Sequence, residues 1–117
     1  MIKNYLQARK QVQQGSHGGI GPVDLYEIWG KSDFKSNVDF IDRVVVPPNS
    51  TIGRHRHGNN EEMYIVLSGQ AEMTIEGEAL TVQNGDMILN PAHGEHGLTN
   101  MSDENIDLLV IQISLAE

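Results

Sequence analysis

Residues 53–69 read GRHRHGNNEEMYIVLSG, and residues 85–100 read GDMILNPAHGEHGLTN. In an extended strand, side chains at i and i+2 share a face, so His55 and His57 point the same way. Their Cα atoms then stand roughly 7 Å apart, close enough for two imidazoles to converge on one ion. Gly58-Asn59-Asn60 is a turn, and it lets Glu61 or Glu62 return on the neighbouring strand to face them. Two ring nitrogens and a carboxylate oxygen suit a divalent first-row metal such as Mn, Fe, Co, Ni or Zn. The second stretch adds a distant fourth donor, at either His93 or His96.

Outward from these stretches the signals are for strands. Val23–Trp29 alternates, Val38–Val46 is rich in β-branched residues, and Pro47-Pro48-Asn49-Ser50 ends it. Ser68-Gly69 turns Glu62–Leu67 into Gln70–Ile75, and Glu76-Gly77-Glu78 turns again into Ala79–Gln83. Asn84-Gly85 reads as a type I′ hairpin turn, because both residues tolerate positive φ. Asp86–Asn90, His96–Asn100 and Ile106–Ile113 complete about nine short strands, the spacing of an antiparallel sandwich or barrel. Residues 1–14 read as a short helix or an irregular arm, and GSHGGIGP at 15–22 breaks regular structure. We therefore divide the chain into an arm and glycine-rich loop, 1–22, and an all-β barrel, 23–117.

The 117 residues fit one domain. A net charge of −8 argues against nucleic acid or an anionic membrane as partner, since both need a cationic footprint. With no cysteine, disulfides, thiolate metal sites and cysteine nucleophiles are excluded. The longest apolar run, Met63 to Leu67, is far short of the roughly 20 residues of a membrane span. A soluble cytoplasmic protein is expected.

Taken together, the two stretches resemble the paired motifs of the cupin superfamily in its small, single-domain form. The first motif has two histidines flanking one residue, then Glu, six residues and Gly. It is matched by His55, His57, Glu62 and Gly69. The second is matched by Gly85, Pro91, His96 and Asn100. Two positions depart from the pattern: Asn49 and His93 stand where the family has glycine, and both residue types tolerate left-handed backbone. The resemblance implies a double-stranded β-helix, or jelly roll, and a metal held by His55, His57, Glu62 and His96. It leaves Glu61 as a solvent-facing charge. His17 has no expected chemical role unless the arm reaches a site.

Three imidazoles and one carboxylate leave open positions on the ion, where a small oxygenated compound could chelate. The first reading is an isomerase- or lyase-type enzyme acting on a sugar-like or oxo acid compound by Lewis-acid catalysis. Tyr64, Glu95 and His93 are its candidate acid/base groups. Tyr64 shares the parity of Glu62 and faces inward. The alternatives are an iron-dependent dioxygenase and a non-catalytic protein that binds a small-molecule ligand. Arg54 and Arg56 alternate away from the metal, which disfavours a phosphorylated ligand. Exposed strand edges predict a homodimer, with the glycine-rich arm and Val23–Trp29 as candidates for pairing across a two-fold axis.

Overall fold

The computed structural model describes residues 1–116. Its strands are β1 (Lys10–Gln14), β2 (Pro22–Gly30), β3 (Val38–Val46), β4 (Thr51–Arg56), β5 (Asn60–Ser68), β6 (Gln70–Ile75), β7 (Glu78–Gln83), β8 (Met87–Asn90), β9 (Glu95–Thr99) and β10 (Ile106–Ser114). They form a six-stranded sheet in the order β1-β2-β3-β10-β5-β8 and a four-stranded sheet in the order β4-β9-β6-β7. Every pairing is antiparallel. This is the expected all-β jelly roll.

Alternation sets what the two inner faces meet. Val46, Val66, Met73, Leu98, Ile106 and Leu108 are all at most 2% exposed and fill one end of the barrel. Burying side chains of this size stabilises the fold by about 1.5–3 kcal/mol each. Register then orders the large sheet in layers. Val44, Leu108 and Val66 lie side by side across β3, β10 and β5; the next layer is Asp42, Val110 and Tyr64; the next is Phe40, Gln112 and Glu62. Along these strands the interior passes from apolar to polar, and the polar end is where the histidines gather. Asn100 closes the apolar end. It is fully buried, and its Nδ2 donates to the carbonyls of Val46 (2.9 Å) and Glu104 (2.7 Å).

The turns differ from the sequence reading in one respect. Asn84-Gly85 joins no hairpin, because β7 and β8 belong to different sheets. Only Gly85 has positive φ, 86°, which is the type II pattern. The two-residue hairpin is Glu76-Gly77, between β6 and β7, where both residues have positive φ, as type I′ demands. Asn49 (φ 67°) and His93 (φ 62°) do adopt the left-handed backbone that their places in the motifs require.

Residues 1–14 carry one three-residue 3-10 turn, Tyr5–Gln7, and then β1, which pairs with β2. Pairing with β2 takes residues 10–14, Val12 among them, out of any helix, and the segment before them forms no more than that one turn. Tyr5 contributes to holding this segment down, because Arg43 lies between the Tyr5 and Tyr26 rings while its guanidinium pairs with Asp107 at 2.7 Å. Val23–Trp29 is not a free edge. It lies in β2, which pairs with β1 as far as Tyr26 and with β3 from Asp24 onward. No helix among the described residues is long and apolar enough to cross a membrane.

Candidate metal centre

Strict alternation from Ile52, which is buried, would turn Arg54 and Arg56 inward. A β-bulge between Ile52 and His55 shifts the register of β4 against β9 and reverses that parity. His55 and His57 then face the barrel, and Arg54 and Arg56 face solvent. Gly58 and Asn59 return the chain into β5, which carries Glu62 inward. His96 comes from β9, directly opposite His55 in register.

These four side chains meet. One ligand atom from each of His55, His57, Glu62 and His96 lies within 4.8 Å of all the others. The Nε2 atoms of His57 and His96 are 3.2 Å apart, and each is 3.4 Å from Glu62 Oε1. Tautomers follow from the outer ring nitrogens. His55 Nδ1 donates to the Gly53 carbonyl at 2.9 Å, and His57 Nδ1 donates to Asn60 Oδ1 at 2.8 Å. Both rings therefore offer an unprotonated Nε2 to the centre. His96 Nδ1 is buried with no partner, so in the metal-free protein its Nε2 can carry the proton and donate to His57 Nε2 or Glu62 Oε1, and a metal would replace that proton. Metal bonds of about 2.0–2.2 Å at 90–110° put neighbouring donors about 2.8–3.6 Å apart, which the three spacings among His57, His96 and Glu62 match. The cluster could hold a divalent ion. His93, the alternative fourth donor, is exposed in the β8–β9 loop and is not part of the cluster.

The cluster opens on a cavity of about 280 Å³ whose lining includes His57, Glu62, Tyr64, Phe40 and Asp42. A larger groove of about 470 Å³, around Ser68, Gln83 and Ser102, contains none of these groups. Tyr64 is 3% exposed, and its hydroxyl lies 3.5 Å from His96 Nε2. Burial, followed by the adjacent Glu62 carboxylate, raises its pKa well above the ordinary phenol value. Burial also lowers the His55 pKa to about 4, so the ring is neutral and able to coordinate at physiological pH. Glu95 and His93 do not line the cavity. Glu95 lies beside Arg56 at 4.0 Å, on the outer face of β9, and the His93 carbonyl accepts from the Arg56 guanidinium.

Two residues at the site were not read from the sequence as part of it. His17 stacks on His55, with ring centroids 3.7 Å apart and an interplanar angle of 9°. Its loop is pinned to β4: Thr51 Oγ1 accepts from Ile20 N at 2.7 Å, and a Cβ on Gly53 would run into the His17 carbonyl. Burial lowers the His17 pKa as well. The signal available was the pair of glycines, Gly19 and Gly53, whose backbones approach each other; nothing in the sequence pairs them. Asp42 is 8% exposed, and its Oδ1 has no hydrogen-bond partner. Burial first, then the charges of Glu27 and Glu62, raise its pKa to about 7. Trp29 lies outside the cavity, under the Lys3 ammonium (4.4 Å) and beside Phe34.

Comparison with known proteins bears on the family and the fold. The sequence profile of the cupin domain matches residues 42–112. An oxalate-binding protein of Thermotoga maritima is 24% identical over 98 residues, 84% of this chain and 81% of that protein. A mannose-1-phosphate guanylyltransferase of Salmonella montevideo is 26% identical over 104 residues, but the match spans only 21% of the enzyme. Among solved structures, a Thermotoga maritima protein described as a predicted oxalate decarboxylase superposes with a TM-score of 0.95 at 22% identity. It covers 98% of this chain and 100% of that one. A polyketide cyclase of Streptomyces resistomycificus gives 0.79 at 17% identity, over 100% and 87% of the two chains.

Proposed function

This chain belongs to the cupin family, and on that premise we propose that it binds one divalent transition metal through His55, His57, Glu62 and His96 and acts there on a small oxygenated compound. The observation that carries the reading is the approach of three ring nitrogens and one carboxylate oxygen beside an open-mouthed cavity that His57 and Glu62 help to line. When bound, Mn, Fe, Co, Ni or Zn supplies Lewis acidity toward a carbonyl or carboxylate oxygen.

The chain's own residues do the rest. His57 and His55 are held in one tautomer by Asn60 and by the Gly53 carbonyl. Val44, Val110 and Phe40 keep that part of the cavity apolar, which strengthens every electrostatic contact inside it. The Tyr64 hydroxyl beside His96 stays protonated at neutral pH and is the group best sited to give or relay a proton to a ligand oxygen. These features favour an isomerase- or lyase-type conversion of a sugar-like or oxo acid compound.

The second reading, a small-ligand binding protein without turnover, is favoured by the relative named an oxalate-binding protein. Tyr64→Phe in metal-loaded protein separates the two. The enzyme reading expects lost turnover with metal content unchanged, detected by NMR of oxo acid and sugar mixtures. The binding reading expects metal-dependent ligand binding with no conversion by either protein. Ligands that bind equally well to metal-free protein would contradict both. We take the chain to be a homodimer, on the strength of the fully exposed edge strand β1.

A further inference from the structure

We propose that Asp42 selects the ligand: the compound held at the His₃Glu cluster carries a hydroxyl-bearing, uncharged tail that hydrogen-bonds to the Asp42 carboxyl, as in a sugar acid, and has no second anionic group. This rests on the metal-binding reading above and narrows its ligand class.

Asp42 has no structural employment. Its neighbours on β3 and β10 do: Asp107 takes the Arg43 guanidinium in a two-pronged pair, and Asp39 accepts from Gln112 Nε2 (3.0 Å) and Ser114 Oγ (2.7 Å). Asp42 Oδ1 is buried with no partner, which costs several times what an exposed carboxyl would. The position makes sense for a group that meets its partner only when ligand enters.

Its location is set by register. Asp42, Val110 and Tyr64 lie in one layer across three adjacent strands, next to the layer that holds Glu62. Two strand spacings put Asp42 about 10 Å from Tyr64 at the Cα atoms, with Val110 between them. Asp42 lines the same cavity as His57, Glu62 and Tyr64. A ligand chelated at the cluster by adjacent oxygens would therefore extend its tail over Val110 toward Asp42.

The rest of the lining decides the tail's chemistry. Among the described residues it contains no lysine or arginine, and its polar members near the mouth are Gln13, Ser16, His17 and Gln112. A phosphate or a second carboxylate on the tail would lie against the Asp42 carboxyl, away from the metal, and no lysine or arginine of this lining would offset it. A hydroxyl can donate to Asp42 and accept from the neutral amides.

Three 2-hydroxy acids with the same chelating head test this: threonate (hydroxylated tail), 2-hydroxybutyrate (apolar tail) and malate (anionic tail), titrated calorimetrically at pH 8, where the Asp42 carboxyl is ionised, into Mn(II)-loaded protein. Wild type should bind threonate roughly 10- to 100-fold more tightly than 2-hydroxybutyrate, the worth of a hydrogen bond to a charged acceptor, and malate most weakly. Asp42→Ala should erase the threonate preference, while Asp42→Asn, which keeps an acceptor oxygen, should retain part of it and bind malate more tightly than wild type. Should Asp42→Ala not fold, the Asp42→Asn arm decides alone. Malate binding as tightly as threonate to wild type, no binding of any of the three, or the same selectivity in the variants, with one Mn per chain throughout, would overturn this inference and leave the metal site standing. Failure of the wild-type protein to hold Mn would overturn both.

Discussion

Replacing Asp42 with asparagine should change how stability depends on pH, and the sign follows from the structure. Burial and the nearby Glu27 and Glu62 raise the folded-state pKa from 3.8 to about 7. Between those values the folded chain holds a proton that the unfolded chain releases, so stability contributed at low pH is lost as pH rises from about 4 to 7. The shift is about 3 units, each worth about 1.36 kcal/mol, which gives a ceiling of about 4 kcal/mol. Solvent at the cavity mouth screens part of that, so about 2 kcal/mol is the working expectation. The histidines act in the opposite sense. His55, lowered to about 4, and His17, also lowered, add stability as pH rises toward 6.5. The informative quantity is therefore the difference between Asp42→Asn and wild type. Urea unfolding of metal-free protein at pH 5, 6, 7 and 8 should show the variant gaining steadily on wild type and exceeding it at pH 8. A difference that stays flat from pH 5 to 8 would refute the assignment of a buried, unpaired carboxyl.

Four further outcomes are expected. Asn60→Ala frees the outer nitrogen of His57 and should weaken metal affinity by roughly 10- to 100-fold in a chelator competition assay; unchanged affinity would mean that the hydrogen bond does not fix the ring. Asn100→Ala removes the donor to two carbonyls at the apolar end and should lower stability by about 2–4 kcal/mol, read from the urea midpoint, with metal content intact. Gly53→Ala drives a Cβ into the His17 carbonyl and to 2.8 Å from Gly19 N; a loss of about 1–3 kcal/mol and a shifted His17 ring resonance are expected, and wild-type values for both would count against the pinned loop. Light scattering on a sizing column should report twice the chain mass at micromolar concentration, and a clean monomer would remove the dimer.

Much of this molecule is legible in its sequence because strand parity and motif spacing act together. His55 and His57 at i and i+2, Glu62 after a turn, and His96 before Asn100 are each ambiguous alone; the spacing makes them one set. Tyr64 follows from the parity of Glu62. What was hidden depends on tertiary packing. The bulge before His55 reverses the parity of β4, and Gly53 within it is the one local sign, ambiguous between a bulge and a close backbone approach. His17 reaches the site because Gly19 and Gly53 let two backbones approach, a contact between residues 34 positions apart. Asp42 looked like any polar residue in a β-branched strand until register put it beside Val110 and inside the cavity. Glu95 and His93 were attractive by proximity in sequence to His96, yet one faces outward on β9 and the other lies exposed in a loop.

The proposed centre is most directly tested by metal analysis of untagged protein and a His96→Ala variant, both loaded with Mn, Fe, Ni or Zn and then desalted. One bound ion per wild-type chain, and a large loss in the variant with its fold retained by circular dichroism, is the expected result. Equal metal in the two proteins, or none in wild type under any of these loadings, would contradict it.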